Sequence, residues 1–333
     1  MKILLSSLPF APKVGGMETI ALLLAQEWSA MGHTVTVVTE TAEEAAEGFP
    51  FAVVRCPDFR TLRRLIKAHD VYLQNNVSVR LLWAWIGTRK PLFIAHHTQL
   101  FSESRADALR LVLKRFFMRR ATNICVSRAI AASIAPQSHI IGNAYDDKLF
   151  HLRPEIERNR DLIFVGRLVR TKGVDVLLRA LKILQLRGLT PHLKIVGSGP
   201  CEASLRALCE KLDLSAQVEF AGTLRGEALA SCMASHRLLV APSTWQEPFG
   251  IVALEGIACG CAVVGSSGGG LSDAIGLCGE TFRNGDSEDL ARVMTPLLEN
   301  PSSLRPYLEA APAHLEKHSA RGVATAYLRV FER

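Results

Sequence analysis

The chain has 333 residues, of which 48% are hydrophobic and 21% charged, and its formal net charge is +7. This length suits two domains with full cores, and the composition excludes an intrinsically disordered chain. No apolar run is long enough to cross a bilayer, and the opening MKILLSSLPFAPK predicts a first strand and not a signal peptide. These features predict a cytoplasmic protein.

The cysteines and the charge distribution narrow the function classes further. Eight scattered cysteines include no CxxC pair, so we expect reduced thiols and no disulfide framework. Residues 1–150 hold 18 Lys and Arg against 12 Asp and Glu, which predicts an anionic partner for the first half. Only 7% of the residues are aromatic and no binding motif accompanies the basic residues, which argues against nucleic acid. An anionic membrane surface or an anionic acceptor fits better.

The first half of the chain alternates short apolar runs with helical periodicity. The run at 2–7 predicts a strand, and the segment 15–32 predicts a helix that ends at Gly32. Further strands are predicted at 33–40, 71–76, 91–97 and 123–127. Near-continuous apolar strands separated by helices are typical of a parallel, doubly wound sheet.

The same pattern restarts after a polar stretch at 151–160 that lacks periodicity and contains a proline. A helix is predicted at 174–188, and strands at 161–168, 192–199, 218–222, 237–243 and 261–267. We therefore predict an α/β protein of two doubly wound Rossmann-like domains, residues 1–150 and 151–318, with a cleft between them. The final segment, 319–333, predicts an amphipathic helix that packs back toward the first domain.

The segment STWQEPFGIVALEGIACG, residues 243–260, combines two carboxylates with a helix start. Pro248 keeps Glu247 out of helical geometry and itself suits the first turn of a helix. Free amides at that start would face a phosphate beside Glu247, and Glu255 lies farther along the helix, within reach of hydroxyls. Those amides belong to Phe249, Gly250 and Ile251. Together they predict a site for a phosphorylated sugar.

Glycines and cations follow other predicted strands. Gly15 and Gly16 lie between the first strand and helix, where a backbone can approach a phosphate, although a glycine pair is also typical of an ordinary turn. Arg167 and Lys172 follow the first strand of the second domain and could neutralise a diphosphate, the alternative being a solvated basic loop. The GxG in IVGSGP, residues 195–200, is not a full dinucleotide fingerprint and indicates a tight turn at a nucleotide crevice.

Two histidines and two aspartates can be considered as further candidates for site residues. His97 ends a predicted strand and could hydrogen-bond a reacting sugar, the alternative for an isolated histidine being a structural role. His96 points to the opposite face and is expected to be structural. Asp146 and Asp147 lie in a segment typical of an ordinary turn, and no third carboxylate or histidine completes a site with them, so we predict no metal site there.

The segment SRADALRLVLKRFFMRR, residues 104–120, combines many cations with apolar residues at helical spacing. Such a helix can lie on an anionic membrane, and the alternative is a core-packed helix with a solvated basic face. The cations are Arg105, Arg110, Lys114, Arg115, Arg119 and Arg120, and the apolar residues are Leu109, Val112, Leu113, Phe116 and Phe117.

Taken in order, these motifs resemble those of retaining glycosyltransferases of family 4, which have the GT-B fold. They are GGME (15–18), HHT (96–98), GRLVRTKG (166–173), VGSGP (196–200), EPFGIVALEGIACG (247–260) and GGL (269–271). The glutamate pair with its PFG and the GRL…KG segment are the most specific, and the set covers nearly the whole chain. One departure is Asn143-Ala144-Tyr145-Asp146, where the family usually has an Asn-Gly-Val-Asp turn.

The resemblance implies a role for each matching residue. Gly16, beside Gly15, would contact the donor diphosphate, and Arg167 with Lys172 would stabilise the leaving nucleoside diphosphate. Glu247 would contact hydroxyls of the donor sugar and Glu255 the ribose. His97 would lie near the reacting carbon or the 6-hydroxyl of the sugar. The other donor-binding positions would be Gly166, Gly197, Phe249, Gly250, Ile251 and Val252.

The resemblance also implies the class of reaction. It predicts a retaining hexosyltransferase that needs neither metal nor cofactor and whose co-substrate is a UDP- or GDP-linked sugar. The acceptor would be a glycan, a lipid-linked molecule or a small molecule, and the enzyme could be peripheral at the inner face of the plasma membrane. A nucleotide-sugar epimerase, a phosphorylase and a non-catalytic nucleotide-sugar-binding subunit are the alternatives.

Overall fold

The computed structural model describes residues 1–13, 15–43, 48–99, 105–134 and 137–333, without the side chains of 105–110. These residues form two compact units, Met1–Ala144 with Ser319–Arg333 and Tyr145–His318. The boundary predicted after residue 150 therefore falls after Ala144. The second unit starts with a turn in which Asp146 Oδ1 accepts from the amides of Lys148 and Leu149 at 3.2 Å each.

The first unit contains a seven-stranded sheet in which all the pairs are parallel. Its strands are β1 (Lys2–Ser7), β2 (Thr34–Thr39), β3 (Ala52–Arg55), β4 (Val71–Asn75), β5 (Leu92–His96), β6 (Thr122–Cys125) and β7 (His139–Ile140). Its helices up to residue 134 are α1 (Gly16–Ala30), α2 (Phe59–Ala68), α3 (Val79–Leu82), α4 (Arg105–Met118) and α5 (Arg128–Ile134), with a 3-10 helix at Trp83–Trp85. The strand order is β3-β2-β1-β4-β5-β6-β7.

The second unit contains a six-stranded parallel sheet. Its strands are β8 (Arg160–Val165), β9 (Leu193–Val196), β10 (Val218–Phe220), β11 (His236–Ala241), β12 (Ala262–Ser266) and β13 (Gly279–Phe282), in the order β10-β9-β8-β11-β12-β13. Its helices are α6 (Val174–Leu186), α7 (Glu202–Lys211), α8 (Gly226–Ala234), α9 (Ile251–Ala258), α10 (Leu271–Ile275), α11 (Ser287–Glu299) and α12 (Arg305–His318). Short 3-10 helices span Arg170–Lys172 and Pro301–Leu304.

The last helix of the described chain, α13 (Ala320–Phe331), belongs to the first unit and packs on α1. The indole Nε1 of Trp28 donates to the carbonyl of Ala324 at 3.0 Å. The Trp28 ring also lies 6.0 Å from the ring of Tyr327 and 5.7 Å from that of Phe331, between centroids. A buried indole needs such a hydrogen-bond acceptor, so α13 supplies both apolar surface and a polar partner to this core.

The central strands are buried on both faces because helices cover both sides of a doubly wound sheet. Every residue of β4, β5 and β12 is buried. The prediction of two parallel, Rossmann-like sheets is therefore confirmed. Among the described residues, no helix is both long and apolar enough to cross a membrane.

The strand order determines where ligand-binding loops can meet. In the second unit, the chain leaves β8 to form β9 on one side and later returns to form β11 on the other side. The loops after β8 and β11 therefore lie side by side at the carboxyl ends of the strands, which is where open parallel sheets bind ligands. In the first unit, β1 lies in the same way between β2 and β4.

Candidate functional site

An ion pair lies where the loops after β8 and β11 meet. Lys172 Nζ is 2.5 Å from Glu247 Oε1, and the hydroxyl of Ser243 donates to the same oxygen at 2.7 Å. The Glu247 side chain is 9% exposed and that of Lys172 is 32% exposed. A buried carboxylate needs a paired cation and hydrogen-bond donors, and this one has both on a single oxygen. The second oxygen, Oε2, has no hydrogen-bond partner among the described residues.

The 3-10 helix that carries Lys172 is held against the β11 loop by its backbone. Thr244 donates its amide to the carbonyl of Thr171 at 3.0 Å, and its hydroxyl donates to the carbonyl of Arg170 at 3.3 Å. Gly173 follows with a φ of +67° and begins α6 as its N-cap. A Cβ on Gly173 would lie 1.9 Å from the carbonyl oxygen of Pro242, so only glycine allows this approach.

The loop after β12 completes the surroundings of Glu247. Glu247 and Gly269 form an isolated parallel bridge, and Gly270 donates its amide to the carbonyl of Glu247 at 2.6 Å. Gly269 has a φ of +83°, and a Cβ there would lie 2.4 Å from the Glu247 carbonyl oxygen. The glycines of GGL therefore serve a close approach of two backbones, a role that the sequence motif alone did not specify.

Asn284, in the turn after β13, joins these two loops and was not a sequence candidate. Its Oδ1 accepts from the amide of Gly268 at 2.6 Å. Its Nδ2 donates to the carbonyls of Ser243 at 3.1 Å and Trp245 at 3.2 Å. Ser243 was missed as well, although it stands four residues before Glu247. For Asn284 no local signal existed, because its partners lie 16 to 41 residues away in the sequence.

Gly166 and Gly197 lie at the carboxyl ends of the neighbouring strands β8 and β9. Gly166 donates its amide to Val196 at 3.0 Å, and a Cβ on Gly197, whose φ is +138°, would lie 1.9 Å from the carbonyl oxygen of Gly166. The backbones that follow β8 and β9 therefore approach each other closely at these two glycines. The adjacent Arg167 is exposed, and its guanidinium has no hydrogen-bond or ion-pair partner among the described residues.

Helix α9 begins at Ile251, three residues after Pro248, which the sequence placed in the first turn. Gly250 is its N-cap, with a φ of +100°, and a Cβ there would lie 2.5 Å from Leu271 Cδ1. Phe249 precedes the cap and is buried, with its ring 5.5 Å from that of His318. The left-handed backbone at Gly250 separates Phe249 from the helix, so the first-turn amides belong to Ile251 and Val252 and not to Phe249.

Glu255, one turn into α9, is half-buried and titrates unusually. Burial raises the pKa of its carboxyl to about 7, and the nearby charge of Asp146 adds to the effect. Near neutral pH this group therefore exists as a mixture of carboxylic acid and carboxylate. It can donate or accept a hydrogen bond, which suits a hydroxyl ligand.

In the first unit, the glycine pair lies at the start of α1. Gly15 is the N-cap, in extended conformation, and Gly16 is the first helical residue and is exposed. The carboxylate of Glu18 folds back over this start, so that a Cβ on Gly15 would lie 2.6 Å from Glu18 Oε2. A negative group is thus already stabilised at this helix N-terminus by the chain itself.

His96 and His97 follow each other at the carboxyl end of β5, and both are buried. His96 Nε2 bonds to Asn123 Oδ1 at 2.8 Å, which agrees with the structural role predicted for it. Burial lowers the pKa of His97 to about 4; the His96 ring lowers it further, and a hydrogen bond with the Asn143 side chain opposes this. The imidazole of His97 is therefore neutral at pH 7, and its Nε2 has no partner among the described residues.

The structure thus brings Lys172, Glu247 and the glycine loops into one cluster of the second unit. Arg167 lies on the same strand-to-helix connection as Lys172. Gly15, Gly16 and His97 belong to the first unit. In the part of the chain that the structure describes, no three His, Cys, Asp or Glu side chains are grouped so that they could hold a metal ion.

Comparison with protein families matches both units. Residues 147–314 match the model described as "Glycosyl transferases group 1", and residues 14–148 match "Glycosyltransferase Family 4". An uncharacterized glycosyltransferase of Methanocaldococcus jannaschii is 38% identical over 152 residues, which cover 44% of this chain and 38% of that protein. A D-inositol 3-phosphate glycosyltransferase of Rhodococcus erythropolis is 34% identical over 178 residues, 49% of this chain and 40% of the relative. These matches span less than half the length of either relative.

Solved structures resemble the whole chain. The HepE protein of Anabaena, in complex with UDP, superposes with a TM-score of 0.81 at 20% identity and covers 100% of both chains. Sucrose-phosphate synthase of Thermosynechococcus elongatus gives a TM-score of 0.77 at 20% identity, covering 99% of this chain and 98% of that one. At such identity the likeness shows the fold. With both family models matched over consecutive halves of the sequence, the chain belongs to the group 1 glycosyltransferases of family 4 and has their GT-B fold.

Proposed function

We propose that this protein is a retaining, metal-independent hexosyltransferase. It would move a sugar from a UDP- or GDP-linked donor to a glycan, a lipid-linked molecule or a small-molecule acceptor. The observation that supports this proposal best is the buried Glu247 carboxylate, paired with Lys172 at the point where the loops after β8 and β11 meet. A nucleotide sugar carries hydroxyls, which a carboxylate can bind, and a diphosphate, which a cation can bind. The site offers both groups side by side.

The cations would stabilise the leaving group. Arg167 is exposed and unpaired among the described residues, and the Lys172 ammonium is partly accessible. As the bond between the anomeric carbon and the diphosphate breaks, negative charge develops on the diphosphate oxygens, and two fixed cations stabilise that charge. The acceptor hydroxyl oxygen would then bond to the anomeric carbon on the same face, and its proton would pass to the departing diphosphate. This path keeps the anomeric configuration.

Glu247 would bind the sugar and Glu255 the ribose. Both contacts to the Glu247 carboxylate fall on Oε1, which leaves Oε2 for a sugar hydroxyl. The amides of Ile251 and Val252 at the start of α9, together with the backbone at Gly166 and Gly197, would support phosphate and sugar oxygens. For His97 we keep the role implied by the family, a hydrogen bond to the reacting sugar. Its neutral imidazole suits a hydroxyl partner.

A thermal-shift screen tests donor binding directly. HepE was crystallised with UDP and UDP-glucose, so these two ligands come first, followed by GDP-mannose. A ligand at one hundred times its dissociation constant stabilises the folded state by about 2.7 kcal/mol, so we expect a clear rise in melting temperature for at least one nucleotide sugar. If none of them raises it, the proposal is contradicted.

A turnover assay with the selected donor separates the alternatives. We expect transfer to an acceptor with the same anomeric configuration by NMR, at a rate that EDTA leaves unchanged. Interconversion of nucleotide sugars would indicate an epimerase, and release of sugar phosphate on adding inorganic phosphate would indicate a phosphorylase. Binding without any turnover would indicate a non-catalytic subunit.

An anionic membrane surface is the partner that we propose for the first unit, which would place the enzyme in the cytoplasm at the inner face of the plasma membrane. Ser104 and the side chains of 105–110 lie outside the described residues, and the second half of α4 carries the exposed apolar side chains. Val112 is 61% exposed and Phe116 is 43% exposed, one turn apart. Trp83 is 45% exposed, and its ring lies 6.0 Å from that of Phe117, which lies 5.4 Å from the ring of Phe116.

Cations border this apolar patch. The guanidinium of Arg120 stacks 3.8 Å from the centroid of the Phe116 ring, and Arg115 and Arg119 are exposed. Phe117 and Met118 are buried in the core, so α4 is both a packed helix and an exposed cationic face. Apolar anchors beside cations, each of which contributes about 1 kcal/mol near an anionic surface, favour an interfacial helix.

We expect the protein to float with phosphatidylcholine vesicles that contain anionic phosphatidylglycerol at low salt, and not with pure phosphatidylcholine. The double variant Trp83→Ala/Phe116→Ala should lose most of this binding. Leu186→Ala/Leu277→Ala, at side chains 77% and 80% exposed in the second unit, is the matched control and should bind like the wild type. Equal binding by all three proteins, or no binding by the wild type, would refute the membrane proposal.

A further inference from the structure

We infer that Asn284 is a positioning residue for sugar transfer, and that it acts by fixing the two loops that hold Glu247. The inference rests on the role proposed for Glu247. Asn284 lies in the connection between β13 and α11, outside every sequence motif of the donor site. Its backbone is held by a turn in which the amide of Asp286 donates to the carbonyl of Arg283 at 3.1 Å.

The Asn284 carboxamide uses both of its ends. On one end, Oδ1 accepts from the amide of Gly268 at 2.6 Å. On the other end, Nδ2 donates to the carbonyls of Ser243 and Trp245. One side chain thus connects the loop after β11 to the loop after β12, in addition to the backbone bond between Gly270 and Glu247.

Both loops act on the same carboxylate. The Ser243 hydroxyl donates to Glu247 Oε1, which also accepts from Lys172 Nζ. The carbonyl of the same Ser243 accepts from Asn284. Gly268, whose amide Asn284 holds, leads into the Gly269–Gly270 backbone that pairs with Glu247. A shift of either loop would move the carboxylate relative to a bound sugar. A misplacement of about 1 Å near a reacting centre can cost on the order of 100-fold in rate.

The chemistry at this position requires a carboxamide of this length. An aspartate at position 284 could still accept from the Gly268 amide. Its second oxygen, however, has no hydrogen to donate to the carbonyls of Ser243 and Trp245. A larger residue at position 268 would also break the contact, since a Cβ on Gly268 would lie 2.6 Å from Asn284 Oδ1. The pair Gly268 and Asn284 therefore forms one fitted contact.

Two measurements on the protein test the inference, and the first needs no ligand. In Asn284→Ala, hydrogen exchange should increase in peptides that cover 243–250 and 267–271, while the sheet keeps its protection. In Asn284→Asp, which keeps the acceptor, the increase should be confined to 243–250. These local changes do not depend on whether the protein transfers sugar, so they remain informative if the proposed function fails.

The second measurement is kinetic. With the donor selected by the thermal-shift screen, Asn284→Ala should lower kcat/KM for transfer about 100-fold, whereas the affinity for the free nucleoside diphosphate should change by less than about 3-fold. A purely structural role would weaken both equally.

Asn300→Ala is the matched control. Like Asn284, Asn300 makes hydrogen bonds with its side-chain carboxamide: its Oδ1 accepts from the amide and the hydroxyl of Ser302 at 3.1 and 2.6 Å. Unlike Asn284, it is exposed and lies at the end of α11. It should lose helix-cap stability and keep wild-type kinetics and loop protection. The inference is overturned if Asn284→Ala leaves hydrogen exchange in both loops unchanged. It is also overturned if kcat/KM for transfer and the affinity for the nucleoside diphosphate decrease by the same factor, as a general loss of folding would cause.

Discussion

Replacing Glu247 by glutamine should lower kcat/KM for sugar transfer on the order of 100-fold while the protein stays folded. Glutamine keeps the shape of the side chain, and its Oε1 can still accept from Ser243 and Lys172. It removes the charge that pairs with the Lys172 ammonium, and its other end becomes a donor, so a sugar hydroxyl can no longer donate to it. Lys172 is partly accessible to water, which limits the loss of stability.

Initial-rate kinetics and a melting curve measure this effect. Glu309→Gln is the control, because Glu309 also accepts an ion pair, from Arg305 Nε at 2.7 Å, but is 62% exposed on α12. It should leave both the rate and the melting temperature near wild-type values, since an exposed pair contributes at most about 1 kcal/mol. Full activity of Glu247→Gln, or of Glu247→Ala with its shorter side chain, would show that Glu247 has no part in sugar transfer.

Replacing Gly173 by alanine should lower the free energy of unfolding by about 3 kcal/mol and abolish most of the activity. Two effects add at this position. The left-handed backbone, with a φ of +67°, disfavours any side chain, and the new Cβ would meet the Pro242 carbonyl oxygen at 1.9 Å. Relief of that clash must move the 3-10 helix that carries Lys172 away from the β11 loop, which separates Lys172 from Glu247.

Gly188→Ala separates the two effects. Gly188 lies just beyond the opposite end of α6 and has a φ of +85°, but nothing lies within 4 Å of a Cβ there. Gly188→Ala should lower the free energy of unfolding by only about 1 kcal/mol, the cost of a side chain on a left-handed backbone, and should leave the transfer kinetics unchanged. Urea unfolding of both variants measures the difference. Equal losses in the two variants would mean that the approach of Gly173 to Pro242 contributes nothing.

The fold could be predicted because its central strands carry a strong signal. Strands β4 and β5 are wholly buried, so their apolar runs stand out between helices. The edge strands β3, β7 and β13 were not predicted, because partly or fully exposed residues make up most of each. Helix α9 was predicted, but its start was placed too early because the left-handed conformation of Gly250 is not visible in the sequence.

The sequence motifs indicated Lys172 and Glu247 as site residues, but they indicated neither the contact between them nor the parts of Ser243 and Asn284. Lys172 and Glu247 are 75 residues apart, and only the pairing of β8 with β11 brings their loops together. Asn284 makes its contacts through a side chain in a turn, where asparagine is common for local reasons. The raised pKa of Glu255 depends on burial in the folded chain and on Asp146, which is 109 residues away in the sequence, so no local pattern could indicate it.

The position of α13 has a consequence for how the protein is made. A chain that leaves the ribosome from its amino terminus releases residues 145–318, the whole second unit, before Ala320–Phe331 becomes available. Until then Trp28 lacks the Ala324 carbonyl and the rings of Tyr327 and Phe331. Domains usually complete their folding in the order of synthesis, but here the second unit can mature while the first still exposes an apolar face on α1. The nascent first unit is therefore the half that needs protection from aggregation.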